Sequence, residues 1–244
     1  MATSEIIQKE GLVLRLSDMK ESDAMVKAIG PDGLFSFYAR GVKKLDSKNG
    51  AATAVLALSS FTLTRSSAGA LTLREACAKE LLYPSDQLTG LSIASFLLEA
   101  ANSLVQEDEA AEAYPWLLGA LKAIKKGKEP FTAGLICFAH ILAIGGIGLD
   151  VDECVLCGGK KKIVALSYQD GGYVCQDCFD PAYMEKTPDL HLKMLRYIFK
   201  APVGDYGRVS FAPGDCRPLY ARLGEYVEEM TGTHLRSLDF LMKI

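Results

Sequence analysis

The chain has 244 residues, and its 27 basic and 30 acidic side chains give a formal net charge of −3 at pH 7. This length allows two or three small domains with cores of their own, so no cross-link is needed merely for folding. The negative balance excludes a uniformly basic surface, and any contact with a polyanion would have to be local. Charged residues within the first fifteen positions interrupt the apolar run of a signal peptide, so we expect a cytoplasmic protein with reduced cysteines.

The segment from Ile6 to about residue 80 is predicted to form five short strands. Three apolar runs, "EGLVLRLS", "AMVKAIG" and "LFSFYARG", are followed by "FTLTRSSAGALTLREA", which reads as two alternating runs about a turn at residues 66–69. Five short strands joined by turns fit a small barrel, because closure removes exposed sheet edges. We therefore predict an N-terminal β-barrel of the oligonucleotide-binding (OB) fold over residues 1–80.

Positive charge is concentrated in the predicted barrel. Residues 1–80 hold 11 basic and 9 acidic residues, whereas the remainder holds 16 and 21. The stretch "YARGVKKLDSKNG" carries four cations, which only Asp46 opposes. A cationic groove with ring faces on which bases stack is how such barrels hold single strands without reading their sequence. The candidate nucleic-acid-binding residues are Tyr38, Arg40, Lys43, Lys44, Lys48, Arg65 and Arg74.

Strand alternation separates the aromatic residues of this region. Phe35 and Phe37 fall on one face of their strand and Tyr38 falls on the other. We therefore expect one face in the core, and Tyr38 is the better candidate for stacking on a base. A solvated lysine loop explains residues 40–48 equally well when the loop is taken alone.

The pattern changes to helical spacing after Pro84. The predicted helices cover residues 92–105 and 114–124 and begin at about Thr132, Asp189, Arg217 and Thr233. We therefore predict an α-helical domain over residues 81–244. The apolar stretch 133–149 contains His140 and several glycines and is shorter than the roughly 20 residues of a spanning helix, so it is predicted to be a core helix, and no membrane is expected as a partner.

A cysteine-rich module interrupts the helical pattern. The stretch "CVLCGGKKKIVALSYQDGGYVCQDC" holds four of the seven cysteines, in two C-x2-C pairs separated by 17 residues, which is the spacing of a zinc site. The residues between the pairs predict a β-hairpin about Asp170-Gly171-Gly172. The predicted zinc ligands are Cys154, Cys157, Cys175 and Cys178, within a zinc-ribbon-like insert at about residues 151–182.

Four thiolates would complete the tetrahedral shell of one zinc ion and leave no position for a water, so the predicted metal is structural and not hydrolytic. A redox pair of the thioredoxin kind and a cluster of core cysteines are the alternatives. The isolated Cys77, Cys137 and Cys216 are predicted to be small core residues.

No catalytic constellation is found in the sequence. The three histidines, His140, His191 and His234, lie in separate segments without a nucleophile motif, and no phosphate-binding G-x-x-x-x-G-K-[ST] motif occurs. His140, on an apolar helix, is predicted to be a hydrogen-bonded core residue. We expect a binding protein with no catalytic residues.

With these features placed, the chain resembles the bacterial DNA-repair family RecO nearly end to end. The likeness is carried by "EGLVLRLSDMKESDAMV", by "ARGVKKLDS", by "GLDVDECVLCG" and "GGYVCQDC" around the two cysteine pairs, and by "HLRSLDFL". Residues 49–60 match the next family segment only loosely. The order of these segments, with a cysteine module interrupting a helical domain, is more specific than any one motif.

The resemblance implies an OB barrel, a helical domain and a zinc-binding insert. It also implies binding of single- and double-stranded DNA, strand annealing, and work as a recombination mediator. The implied partners are RecR, the C-terminal tail of single-strand-binding protein and, indirectly, RecA, which the family helps to load onto DNA coated with single-strand-binding protein. Such a protein would associate with the nucleoid.

Two other readings of the residues stay open. A zinc-ribbon adaptor would assemble proteins without touching nucleic acid. An enzyme, such as a nuclease, would need a catalytic metal, which a closed four-thiolate shell does not provide.

Overall fold

The computed structural model describes residues 5–84 and 88–244. The first part of the chain forms five strands and one short helix between the third and fourth strands. These are β1 (Glu5–Asp18), β2 (Ala24–Gly30), β3 (Gly33–Ala39), α1 (Gly50–Thr53), β4 (Ala57–Arg65) and β5 (Leu71–Leu81).

The five strands form a closed barrel in the order β1-β2-β3-β5-β4. β1 pairs with both β2 and β4 in antiparallel register, and closure is completed by a parallel contact of β3 with β5, where Tyr38 lies opposite Thr72. The rings of Phe35, Phe37 and Phe61 pack together inside, with centroids 4.9 to 6.1 Å apart. The predicted OB-like barrel and the inward face of β3 are therefore confirmed.

The rest of the chain is mainly helical, with a hairpin inserted between the third and fourth of its long helices. The helices are α2 (Thr89–Leu104), α3 (Ala110–Lys125), α4 (Pro130–Ile144), α5 (Asp189–Lys200), α6 (Pro213–Thr231) and α7 (Arg236–Leu241). The hairpin strands are β6 (Ile163–Ser167) and β7 (Gly172–Cys175).

Helix α4 is the centre of the helical region. Eleven of its 15 residues are buried, and it contacts α2, α3, α5 and α6. Its first turn contains Pro130, and the Glu129 carboxylate accepts hydrogen bonds from the Phe131 and Thr132 amides at 3.1 and 2.6 Å, which caps the helix. The predicted core helix is thus confirmed, and none of the helices in the described residues is long and apolar enough to cross a bilayer.

The barrel and the helices share one core. Leu12, Leu14 and Ile29 of the barrel pack in the same apolar cluster as the helices, together with Leu82 of the connection. Beside this contact the Lys27 ammonium donates to the Asn102 carbonyl oxygen at 3.4 Å, and burial lowers the pKa of Lys27. The two parts therefore exclude water from each other's apolar surface.

Several details differ from the sequence analysis. Cys137 and Cys216 are buried, but Cys77 is exposed, because it lies on the outer face of β5. Helix α6 begins at Pro213 and not at Arg217, since a proline is well suited to the first helical turn. The short helix α1 was not predicted, and it occupies part of the segment that matches the family loosely.

A close approach in the core makes Gly134 of α4 sensitive to any side chain. A Cβ atom at this position would overlap the Tyr220 hydroxyl and lie 2.6 Å from Ile93 Cγ2. Tyr220 is fully buried, and its hydroxyl donates to the Phe131 carbonyl oxygen at 2.9 Å. We expect Gly134→Ala to lower the free energy of unfolding by about 3 kcal/mol, through overpacking and loss of this hydrogen bond.

Urea unfolding of the two proteins measures this difference. Gly214→Ala is the matched control, because it also lies in a helix but has open space around its Cβ position. The control should be as stable as the parent or slightly more stable, since alanine favours the helix. Equal stability of Gly134→Ala and the control would contradict this account of the core.

Candidate metal centre and nucleic-acid interface

The four predicted ligands meet at one end of the hairpin. The sulfur atoms of Cys154, Cys157, Cys175 and Cys178 all lie within 4.8 Å of one another. The Cys157 and Cys175 sulfurs are 3.6 Å apart, close to the edge of roughly 3.8 Å that a tetrahedron with zinc–sulfur bonds of about 2.3 Å requires. All four are free thiols and not disulfides. The residues present therefore fit a metal ion held by four sulfurs.

Backbone geometry explains why each cysteine pair turns toward the same point. The Gly158 amide donates to the Cys154 carbonyl oxygen at 2.7 Å, and the Cys154 amide donates to the Gly159 carbonyl oxygen at 2.8 Å. Gly158 has φ +72°, a conformation that side-chain-bearing residues rarely adopt. The second pair is closed by the Cys178 amide, which donates to the Cys175 carbonyl oxygen at 3.1 Å. Two tight turns thus place two sulfurs on each side of the centre.

The thiols influence one another's ionisation. Burial opposes ionisation of Cys154, but hydrogen bonds from the backbone of Cys175, Leu156 and Cys157 lower its pKa to about 6. Hydrogen bonding to the Cys157 and Cys175 sulfurs raises the pKa of Cys178 to about 12. Four neighbouring thiolates repel one another, so a cation at their centre is needed for all four to ionise.

The hairpin is attached to the helical region through α5. The Tyr173 hydroxyl donates to the Leu192 carbonyl oxygen, and Arg196 donates to the Val151 carbonyl oxygen. Asp152 forms ion pairs with both Arg196 and Lys200, which lower the pKa of this carboxyl group, with the hydrogen bond from Lys200 as the largest contribution. A metal that orders the module would therefore also fix the module's position against the helices.

Asp23 joins two loops at the end of the barrel where the candidate residues Tyr38 and Arg40 lie. Its carboxylate accepts from the Tyr38 hydroxyl and, at 2.8 Å, from the Gly41 amide. The Tyr38 hydrogen bond is the largest of the contacts that lower the pKa of Asp23, and the cations Lys20 and Arg40 add to them. Asp23 was not among the predicted site residues, although it ends the turn of the "MKESDAMV" segment.

Further contacts hold the same two loops together. The Lys43 amide donates to the Ser22 carbonyl oxygen at 3.1 Å, and the Lys43 ammonium lies 2.9 Å from the Asp18 carboxylate. Arg40, Lys43 and Lys44 all project into solvent from the second loop. We call residues 18–22 and 40–48, with their side chains, the cationic end of the barrel.

Lys48 and Arg74 are brought together although they are distant in sequence. Both line a cleft of about 490 Å³, whose wall includes Asn49 and Thr62. The Asn49 amide oxygen accepts from the Ala76 amide at 3.0 Å, which joins the end of the loop to β5. Asn49 is a second residue that sequence reasoning missed, because its role depends on the approach of β5.

Arg65 is placed differently from the other candidates. It is the last residue of β4, opposite Glu5 of β1, and its guanidinium is 3.3 Å from the Glu5 carboxylate. Tyr38 has its hydroxyl engaged by Asp23, on the face of β3 away from the core. The structure thus brings Lys48 and Arg74 to one cleft, and it pairs Arg65 with a carboxylate of its own chain.

The three histidines have different surroundings in the helical region. His140 stacks on Trp116 with 3.5 Å between ring centroids, its Nε2 lies 3.0 Å from the Ala201 carbonyl oxygen, and burial lowers its pKa to about 4. His234 lies between the Glu228 and Asp239 carboxylates. Over residues 5–84 and 88–244, no serine or cysteine is hydrogen-bonded to a histidine.

Two family models together match almost the whole sequence. The model described as "Recombination protein O N terminal" matches residues 1–80, and the model described as "Recombination protein O C terminal" matches residues 85–239. The second match alone covers more than half of the 244 residues.

Curated proteins named "DNA repair protein RecO" are similar over nearly their full length. The protein of Bacillus pumilus is 27% identical over 241 residues, which cover 97% of this chain and 93% of that protein. The Bacillus subtilis protein is 26% identical over 239 residues, covering 95% and 92%. A Listeria monocytogenes protein is also 26% identical over 239 residues, covering 96% and 93%.

Proposed function

Because the chain belongs to the RecO family of DNA repair and recombination proteins, we propose that it is a recombination mediator that binds DNA strands and anneals them. In this proposal it also helps to load RecA onto DNA coated with single-strand-binding protein. Residues 1–80 make the DNA contacts, and residues 81–244 receive protein partners. The protein acts by binding and not by catalysis.

The observation that carries the proposal is the grouping of cations at one end of the barrel. Arg40, Lys43, Lys44 and Lys48 lie on one loop, and Arg74 shares a cleft with Lys48. The ion pair of Lys43 with Asp18 is exposed, and pairs of this kind contribute at most about 1 kcal/mol, so a phosphate can replace the carboxylate at little cost. Arg65, which pairs with Glu5, is the weakest of the proposed phosphate contacts.

The proposed annealing activity is explained by the positive charge at this end of the barrel. Two DNA strands are polyanions that repel each other, and a cationic surface that binds both loosely lowers the cost of bringing them together. Tyr38 is proposed to contribute a ring face on which a base can stack, while the Asp23 hydrogen bond fixes its position.

We propose one structural zinc ion in the four-cysteine cluster. Cys154, Cys157, Cys175 and Cys178 would hold it, and its chemistry there is to neutralise the thiolates and join the two turns. With four sulfur ligands the ion has no open position for a substrate or water.

RecR is the protein partner that family membership implies. The C-terminal tail of single-strand-binding protein and, indirectly, RecA are further proposed partners. A peptide tail of apolar and acidic residues requires an apolar groove with a cationic rim.

The dependence of DNA affinity on salt tests the proposed surface. If the four cations of the loop each neutralise one phosphate of a single strand, log K against log salt should have a slope near −3, from about 0.7 per phosphate. The measurement uses fluorescence anisotropy of a labelled oligothymidylate and the full chain between about 50 and 200 mM salt. A slope near zero would reject the barrel as the DNA surface and favour an adaptor that binds proteins only.

Annealing is measured separately, on complementary strands coated with single-strand-binding protein. The full chain should increase the annealing rate over the coated strands alone. Cleavage of the strands in the presence of a divalent metal would instead favour a nuclease.

A further inference from the structure

Leu45 is an apolar side chain that the fold leaves in water at the tip of the basic loop. The same loop contains a second apolar residue, Val42, which is buried in the barrel core and anchors the loop. Leu45 is fully exposed, so it contributes nothing to that core. Single exposed leucines are common on protein surfaces, and the case for a function therefore depends on its surroundings.

The neighbouring loop carries another exposed apolar residue close to the same contact. Met19 is 54% exposed and follows Asp18, whose carboxylate binds the Lys43 ammonium. Leu45 lies two positions after Lys43, whose amide donates to Ser22 in the loop of Met19. The contacts of Lys43 with Ser22 and Asp18 join the two loops, and along the chain Leu45 is two residues from Lys43 and Met19 is one residue from Asp18.

Both loops are held in place by their own hydrogen bonds. The Met19 amide donates to the Asp23 carbonyl oxygen at 3.2 Å. In the other loop, the Lys44 amide donates to the Gly41 carbonyl oxygen at 3.3 Å and the Ser47 amide to the Lys44 carbonyl oxygen at 3.1 Å. An apolar tip on an ordered loop can bind a ligand without the cost of ordering the loop.

The charged residues around Leu45 and Met19 indicate the chemical class of the ligand. The cationic end of the barrel carries five basic residues, whereas its exposed carboxylates are Asp18, Glu21 and Asp46. The excess of positive charge favours an anionic ligand, and the exposed apolar side chains favour one that also presents apolar faces. An unpaired nucleic-acid strand has both, because its bases are uncovered, while a duplex hides the base faces within its stack.

We propose that Leu45 and Met19 form an apolar tip that contacts the faces of unpaired bases in a single strand whose phosphates are held by the surrounding cations. This inference depends on the proposed DNA binding and adds a preference for unpaired strands. Apolar side chains that pack against base steps are a known way in which proteins hold distorted nucleic acid.

The experiment compares two probes of equal length: a labelled oligothymidylate, and an oligonucleotide of the same backbone built from abasic units. The full chain should bind the base-bearing strand more tightly. Leu45→Ala should weaken binding of that strand by about fivefold, at the lower end of the range for base contacts, and leave the abasic strand unchanged. Because Leu45 carries no charge, the slope of log K against log salt should stay the same.

Two control variants accompany the measurement. Leu45→Met keeps an apolar side chain and should retain the affinity of the parent. Val203→Ala removes an apolar side chain that is 53% exposed in the helical region. It should leave the affinity for the base-bearing strand and the affinity for the abasic strand unchanged. Melting temperatures of all variants should agree, since neither leucine nor valine at these positions is packed in the core.

The results that would reject the apolar tip differ from the result that would reject DNA binding. If Leu45→Ala binds both strands as the parent does, or weakens both equally, the apolar tip is rejected while the salt slope still supports the DNA surface. If the variant instead loses binding to anionic lipid vesicles and keeps its DNA affinity, the tip belongs to a membrane contact and the inference is also rejected. If the parent binds neither strand, the proposed function fails.

Discussion

Cys154→Ser is expected to remove the metal from the protein and to unfold the inserted hairpin. The substitution leaves three sulfurs for a tetrahedral ion and takes away a thiol whose pKa is lowered by backbone hydrogen bonds. Metal binding and folding of such small modules are the same process, and the free energy of zinc binding in isolated modules is about 10–16 kcal/mol. Loss of one ligand should therefore release the ion and not merely weaken its site.

Elemental analysis of the purified chain measures the outcome. The parent protein should contain about one zinc per chain, as four thiolate ligands imply. Limited proteolysis should cut the variant within residues 158–174 while the parent resists. The loss of order should reach α5, because Tyr173 of the hairpin is hydrogen-bonded to Leu192.

Cys77→Ser is the matched control, since Cys77 is exposed and lies on the barrel, away from the cluster. It should keep the zinc content and the protease resistance of the parent. A Cys154→Ser protein that retains a full complement of zinc would reject the four-sulfur site. A parent protein without metal in which the four thiols form disulfides would reject it as well.

The combined change Lys43→Glu and Lys44→Glu is expected to weaken DNA binding on the order of 100-fold at physiological salt. Two phosphate contacts are lost, and two new carboxylates repel the strand. Asp18, which now pairs with Lys43, would add its charge to the repulsion. The slope of log K against log salt should fall from near −3 to about −1.5, because two of the four contacts disappear.

A variant with the same change in net charge separates this local effect from the overall charge of the protein. Arg208→Glu with Lys243→Glu alters two exposed cations of the helical region and should leave DNA affinity close to that of the parent. Circular dichroism should show both double variants folded, since all four side chains are exposed. Equal affinities for the two double variants would mean that the barrel end is not the DNA surface.

The barrel could be predicted from sequence because its strands combine alternation with clear turn signals. Phe35, Phe37 and Phe61 occupy the inner face as alternation requires, and the two C-x2-C pairs specify their own meeting point. These are local patterns, in which a residue's neighbours in the chain determine its direction.

Features that depend on contacts between distant segments could not be predicted. Asp23 and Asn49 form their hydrogen bonds only when the segment after β3 and the strand β5 approach them. Aspartate and asparagine are common in turns, so their presence there does not indicate these contacts. Cys77 was expected in the core because free cysteines are usually buried, but its strand presents it outward. Likewise, the pairing of Arg65 with Glu5 follows from the register of β1 with β4 and not from spacing in the sequence.

The shared core of barrel and helices has a consequence for dissecting the protein. The family matches divide the chain between residues 80 and 85, which invites expression of the two pieces on their own. If the chain were cut there, Leu12, Leu14 and Ile29 would lose their contacts with the helices, and the isolated barrel would expose an apolar patch to solvent. The boundary between the two family models therefore does not separate two independent hydrophobic cores.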